Sequence, residues 1–219
     1  MSLYTLIARQ KSLNLFLILS VLLVAANFFT QRYLLTTQIY YDNFSEQLSI
    51  NQIDGLINNQ QRALYVVYPL EIVFLLFKCL LIAMIIQTGL FVQNLKVNFL
   101  GIFKVAVISE FILLFPLIIK FVWFYFFKQE YTFEEIKLFF PLSILNLLDI
   151  ENLSLLWFYP LKLMNIFELL YWFALAYGLS KVIQKDFDQS LFIILTTYLP
   201  ALVIWVVFIM FLIVTLNPS

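Results

Sequence analysis

Six ionisable residues stand inside stretches that are otherwise apolar: Glu71, Lys78, Glu110, Lys120, Lys162 and Glu168. A lone charge at the centre of a bilayer costs about 2.5–3.5 kcal/mol on insertion scales. Each of these groups therefore needs a partner, water or a route to the interface. They fall two to a stretch, one acid and one base each time. At a helical rise of about 1.5 Å per residue, Glu71, Lys120 and Lys162 lie roughly 8–14 Å below one end of their stretches. Lys78, Glu110 and Glu168 lie deeper. The spacing predicts two layers of a polar seam, with Glu71 and Lys78 on one helix face because they are seven residues apart. Glu168 and Lys78 are the first acid–base pair expected. The seam has three readings: packing glue between helices, a polar cavity for an ion, lipid headgroup or peptide, and, for Lys120 and Lys162, side chains that reach out to the interface.

Other chemistry lacks its residues. The chain has no His, and its one Cys is Cys79. Zinc, haem and iron–sulfur centres need several N or S ligands, so no metal and no cofactor is expected. Cys79 has no base beside it, and Ser109 next to Glu110 comes without a His or a GxSxG elbow. Gly-rich phosphate loops are absent too. No catalytic residue is assigned, and the chain is expected not to be an enzyme. Thirteen basic residues balance thirteen acidic ones, so no overall field draws nucleic acid.

The elements that must position the charges are set by composition. Of 219 residues, 63% are hydrophobic and 12% charged, against about 25% charged in an ordinary soluble domain. A helix needs about 20 apolar residues to cross a hydrocarbon core of about 30 Å. Five stretches qualify: about 13–29, 66–91, 105–127, 153–179 and 190–216. The expected fold is all-α, a polytopic membrane helix bundle of five transmembrane helices forming a single membrane domain over 1–219. The first stretch follows Arg9 and Lys11 and carries Val24-Ala25-Ala26, so it reads as a signal anchor or a cleavable signal.

Two polar segments, 31–64 and 128–152, separate the apolar stretches and are predicted to hold short amphipathic helices. In the first, Leu35, Ile39 and Leu48 recur at loose helical spacing. Ser49 with Gln52 fits a capping box opening a short helix with Ile53, Leu56 and Ile57. In the second, Thr132 with Glu135 fits another. Ile136, Phe139, Phe140, Ile144 and Leu147 then form a stripe interrupted by Pro141, as for a helix lying in the interface. Pro69, Pro116, Pro160 and Pro200 place one proline in each of the last four spans.

Basic residues in short loops set orientation. With the amino terminus in the cytoplasm, Arg9, Lys11, Lys96, Lys104, Lys181 and Lys185 fall inside, and Arg32, Arg62, Lys128 and Lys137 outside. Asp42, Glu46, Asp54, Glu130, Glu134, Glu135, Asp149 and Glu151 also fall outside, against Asp186 and Asp188 inside. The expected topology is N-in, C-out. Trp123-Phe124-Tyr125 and Trp157-Phe158-Tyr159 would then lie near the outer interface.

Residues 132–150, TFEEIKLFFPLSILNLLDI, and the run from Asn165-Ile-Phe-Glu168 to Gly178-Leu-Ser resemble the bacterial Yip-family membrane domain. The shared pattern is an amphipathic lead-in, an N-[LI]-F within a span, a Gly-Leu ending it, a polar turn and a final span. It covers about residues 70–216. The resemblance implies a five-span protein of the plasma or inner membrane with no catalytic residues to carry over. Eukaryotic members of the family interact with prenylated Rab GTPases. This chain departs from the pattern in its four Gly and its intramembrane charges.

The function expected is that of a non-enzymatic inner-membrane scaffold or accessory subunit. Its partners would be membrane lipids and other membrane or periplasmic subunits. The alternative is a small transporter or lipid- or ion-handling protein that uses the Glu/Lys seam.

Overall fold

Apolar runs of this length have one economical solution in lipid, because only a helix satisfies every backbone group within its own segment. The structure, a computed structural model, describes residues 11–148 and 153–216. Arg9, Asp149 and Glu151 lie outside the described residues.

Helix α1 (Ser12–Phe29) passes into a π turn, Thr30–Leu34. Helix α2 (Thr37–Phe44) follows, then α3 (Ile50–Val92). Next come α4 (Phe99–Glu110), a 3₁₀ turn over Phe111–Leu114, α5 (Phe115–Val122) and a π turn over Trp123–Phe127. Helices α6 (Phe133–Leu138), α7 (Leu155–Leu163), α8 (Ile166–Ile183) and α9 (Phe187–Leu216) complete the described chain. The fold is an all-α bundle. Five helical segments are long and apolar enough to cross a membrane: Ser12–Leu34, Ile50–Val92, Phe99–Phe127, Ile166–Ile183 and Phe187–Leu216.

Two of these differ from the expected stretches. The capping box at Ser49 and Gln52 is present, but the helix it opens does not stop. Residues 58–64, NNQQRAL, contain neither Gly nor Pro, and Gln, Arg, Ala and Leu are good helix formers. The short helix and the second span are thus one 43-residue helix, about 64 Å long. Its length exceeds a ~30 Å hydrocarbon core by about 34 Å. The fourth stretch, 153–179, is broken instead of continuous. Asn165 caps α8, its side chain accepting from the Glu168 N–H at 2.9 Å and donating to the carbonyls of Lys162 and Leu163. That cap ends α7 at Leu163 and leaves Pro160 and Lys162 outside the span proper.

The core joins α3, α4, α8 and α9. Ile82, Ala83, Ile86 and Leu90 face Ile102, Val105 and Ala106, and Tyr171, Leu175, Ala176 and Leu179 face Ile193, Ile194 and Tyr198. Each set repeats at three to four residues, one helix face. Helix α1 adds Leu15, Phe16 and Leu19 against Leu75, Cys79, Val107 and Leu114. Among lipid chains such contacts gain dispersion more than hydrophobic free energy, so packing fit and hydrogen bonds decide which faces meet.

The turns over 93–98 and 184–186 lie at one end, where Gln93, Leu95, Lys185 and Asp188 line a common cleft. At the other end α2, the start of α3 and α6 form a platform. Tyr40, Ile53 and Phe133 bury one another there, and Leu34, Phe124 and Ile136 form a second small core beneath. The apolar stripe expected over 136–147 is therefore split. Ile136 is 2% exposed and packs inward, whereas Leu147 is 84% exposed. Helix α6 ends at Leu138, three residues before Pro141.

The capping box at Thr132 is present, and Lys128 closes it with an ion pair to Glu135 at 2.6 Å. The Lys128 ammonium, and next the Thr132 N–H, hold the Glu135 carboxyl below its usual range. A depressed carboxyl pKa contributes stability above the ordinary value of about 4.3 and loses it as pH falls through the lowered value. Hydrogen exchange of the α6 amides, corrected for intrinsic rate, should therefore quicken on acidification through this range. In Glu135→Gln that pH dependence should vanish. Equal acid sensitivity in the two proteins would place the responsible carboxyl elsewhere.

Candidate functional site

Of the six charges, two form an ion pair. Lys78 on α3 meets Glu110 at the end of α4, with Nζ to Oε2 at 2.9 Å. The other oxygen of Glu110 accepts from the Tyr171 hydroxyl of α8 at 2.9 Å, and the Lys78 ammonium lies 5.6 Å from the Tyr171 ring centroid. Glu110 is 4% exposed, whereas the Lys78 side chain is 44% exposed on the bundle's flank. The lysine thus runs its stem along the outside and turns its charge inward. Three helices are tied through one carboxylate.

Glu168 was expected to take Lys78, and it does not. Its Oε1 accepts from Trp172 Nε1 at 2.9 Å and from the Tyr198 hydroxyl of α9 at 2.8 Å. It also stands in the first turn of α8, where the helix dipole favours a negative charge. Pairing with Lys78 goes to Glu110 because α4 presents that carboxylate to α3. Sequence spacing places residues on a face but does not rotate one helix against another.

The outer layer separates altogether. Glu71 meets neither Lys120 nor Lys162. Its Oε1 accepts from Asn27 of α1 at 3.1 Å, and its buried Oε2 has no hydrogen-bond partner among the described residues. Tyr68, one turn earlier, has its hydroxyl in the same condition. Glutamine would keep the acceptor for Asn27 while removing a charge that gains little. Glu71→Gln should therefore shift stability by less than about 1 kcal/mol in thermal unfolding in mild detergent. A several-fold larger loss would mean that the carboxylate has a cationic partner.

Lys120 and Lys162 converge on Phe140, their ammonium groups 5.4 and 4.2 Å from its ring centroid. Neither forms an ion pair with a described carboxylate. Those two distances hold the ammonium groups to within about 10 Å of each other, where like charges at an effective dielectric of about 20 repel by at least about 1.7 kcal/mol. Phe140 is held in place by the backbone. Ile144 N donates to Met164 O, Ile166 N donates to Leu142 O, and Ser143 bridges Asn165. The cap at Asn165 thus also docks the segment after α6 beside α7.

Asn27, Tyr171, Trp172 and Tyr198 carry no formal charge, and a search of the sequence for charges passes over them. Asn165-Ile-Phe-Glu168 was expected in the interior of a span, although Asn-x-x-Glu is the spacing of a helix start. Cys79 is fully buried, and the Ser109 hydroxyl donates to Val105 O. Among the described residues no three of His, Cys, Asp and Glu gather as a metal site.

On the platform, a cleft of about 630 Å³ opens between the end of α1, α2 and α3. Arg32, Tyr40, Gln60, Tyr65 and Tyr68 are among its walls. Gln60 is fixed by Tyr40 and by Gln31, so this wall is ordered and mostly neutral.

Fold and site together define a polytopic helix bundle of membrane-spanning type, with Lys78, Glu110 and Glu168 engaged by side chains within the bundle. No family model, curated protein or solved structure matches the chain.

Proposed function

We propose that the chain is a non-enzymatic scaffold or accessory subunit of a membrane assembly, engaging other membrane or periplasmic subunits through its platform. One observation carries this reading: Lys78, Glu110 and Glu168, the deepest charges, each engage a side chain of a neighbouring helix, Glu168 taking a second donor from Trp172 on its own helix. A group so engaged serves to fix helix contacts. The platform, in contrast, is built of two segments that bury each other's apolar residues and leaves the cleft beside Arg32 open.

The same proposal includes a bacterial inner membrane, the amino terminus in the cytoplasm, the carboxyl terminus outside and kinship with the Yip type. Lys96, Lys104, Lys181 and Lys185 fall at the turn end, as a cytoplasmic face requires. The Yip element rests on the patterns at 132–150 and 165–180. Reading the chain as a small transporter or a lipid- or ion-handling protein draws on the unpartnered oxygen of Glu71, with the Tyr68 hydroxyl one turn away, and on Lys120 and Lys162.

Purification from its native membrane in mild detergent, followed by mass analysis, tests the proposal. Stoichiometric co-purifying subunits that are lost on altering the cleft wall at Arg32 and Gln60 are expected. A chain that purifies alone in every mild detergent, with its cellular phenotype insensitive to the cleft, contradicts it. A cytoplasm-dependent reporter fused after Ser219 should be inactive, and activity would reverse the orientation.

A further inference from the structure

Lys120 and Lys162 are gathered by the fold without a described acid being gathered with them. Lys78 has Glu110 and Lys128 has Glu135. Both ammonium groups lie against the ring of Phe140. An aromatic face attracts a cation but leaves its charge uncancelled. The arrangement is nonetheless built. Lys120 stands on α5, Lys162 near the end of α7, and Phe140 on a segment pinned to the α7–α8 break by two backbone hydrogen bonds.

Depth points to what the site takes. With the turn-side edge of the core set at Phe99, the start of α4, Lys120 comes 21 residues later, about 31 Å along the helix path and so at the platform-side edge of a ~30 Å hydrocarbon core. There a bilayer carries its phosphates. Trp157, on the same short helix as Lys162, is 53% exposed, and Trp settles at this level. Lysine binds phosphate as a point charge without demanding a planar, two-point fit, so two flexible ammonium groups on one ring suit a tetrahedral phosphodiester.

We propose that Lys120 and Lys162, seated on Phe140, form a binding site for a phosphate-bearing anion, namely the headgroup phosphodiester of an anionic lipid. Basic pockets between membrane helices take such headgroups by the same electrostatics. This site stands apart from the scaffold reading and survives if that reading fails.

The test uses the full chain in nanodiscs of phosphatidylcholine, with and without phosphatidylglycerol, read by thermal unfolding and by native mass spectrometry of retained lipid. Wild-type protein should be stabilised by phosphatidylglycerol and retain it. At about fivefold per lysine, K120Q/K162Q should retain it about 30-fold more weakly. K96Q/K185Q, which removes the same charge at the opposite end, should behave as wild type, and K120R/K162R should keep the lipid.

A wild-type protein indifferent to phosphatidylglycerol overturns the proposal without reliance on any variant. So does equal retention by K120Q/K162Q. Stabilisation by inorganic phosphate with no response to phosphatidylglycerol overturns the lipid occupant. Retention that emerges only in D149N/E151Q overturns it too, by assigning the lysines to the chain's own acids.

Discussion

Glu110→Gln alone should destabilise the bundle more than Glu110→Gln combined with Lys78→Met. The carboxylate is 4% exposed and engages Lys78 and Tyr171 at 2.9 Å each. Removing one member of such a pair strands the other charge in a medium that solvates it poorly, at a cost of about 3–5 kcal/mol. Removing both ends that penalty, and replacing a buried pair by matched neutral groups is often neutral. Glutamine at 110 still offers an oxygen to Tyr171, and methionine at 78 keeps the length of the lysine stem on the exposed flank. Lys78→Met alone should also cost more than the double variant, since it leaves the carboxylate with one hydroxyl donor. Thermal unfolding of all four proteins in one detergent gives the coupling. Additive losses would mean that the two groups do not share a pair.

Gly89→Ala should lower stability by about 1–3 kcal/mol, the cost of overpacking a fitted contact. Helix α3 passes α9 at this position so closely that a β carbon would overlap the Cγ2 methyl of Thr197. Thr197 cannot simply turn away, because its hydroxyl donates to Ile193 O at 2.7 Å. Small residues at such crossings let backbones approach in membrane bundles. The better helix propensity of Ala, about 1 kcal/mol, returns part of the loss. Thr197→Ser removes the methyl and keeps the hydroxyl, so it should rescue Gly89→Ala. A Gly89→Ala protein that is as stable as wild type with Thr197 intact would refute the close crossing.

Periodicity and composition made the bundle readable, and local hydrogen-bond chemistry made its caps readable. Ser49 with Gln52 and Thr132 with Glu135 start helices where their spacing placed them. The continuation through 58–64 is not legible in hydropathy, because the polar Gln and Arg that flank the apolar run extend helices well. The break before α8 is masked in hydropathy, because Met164-Asn165 sits in an apolar run that outweighs one Asn. The spacing to Glu168 held the signal.

Within the site, the need for partners followed from the cost of charge in lipid. Which partners followed from the rotation of packed helices, which no one-dimensional pattern carries. Glu110 rather than Glu168 receives Lys78, and neutral Asn27 rather than a lysine receives Glu71. The hydroxyls of Tyr171 and Tyr198 complete the network. They were hidden among twelve tyrosines, most of which could equally have been interface anchors.

The proposal is that the deep charges hold the helices and the platform carries the function. Its most direct test is the cellular activity of Lys78→Met/Glu110→Gln, measured beside its folded yield in the membrane. The scaffold proposal predicts a double variant that folds and supports the wild-type phenotype, while alteration of the Arg32 and Gln60 cleft wall abolishes it. A double variant that folds to the wild-type level yet loses the phenotype would contradict the claim and place the working site inside the membrane.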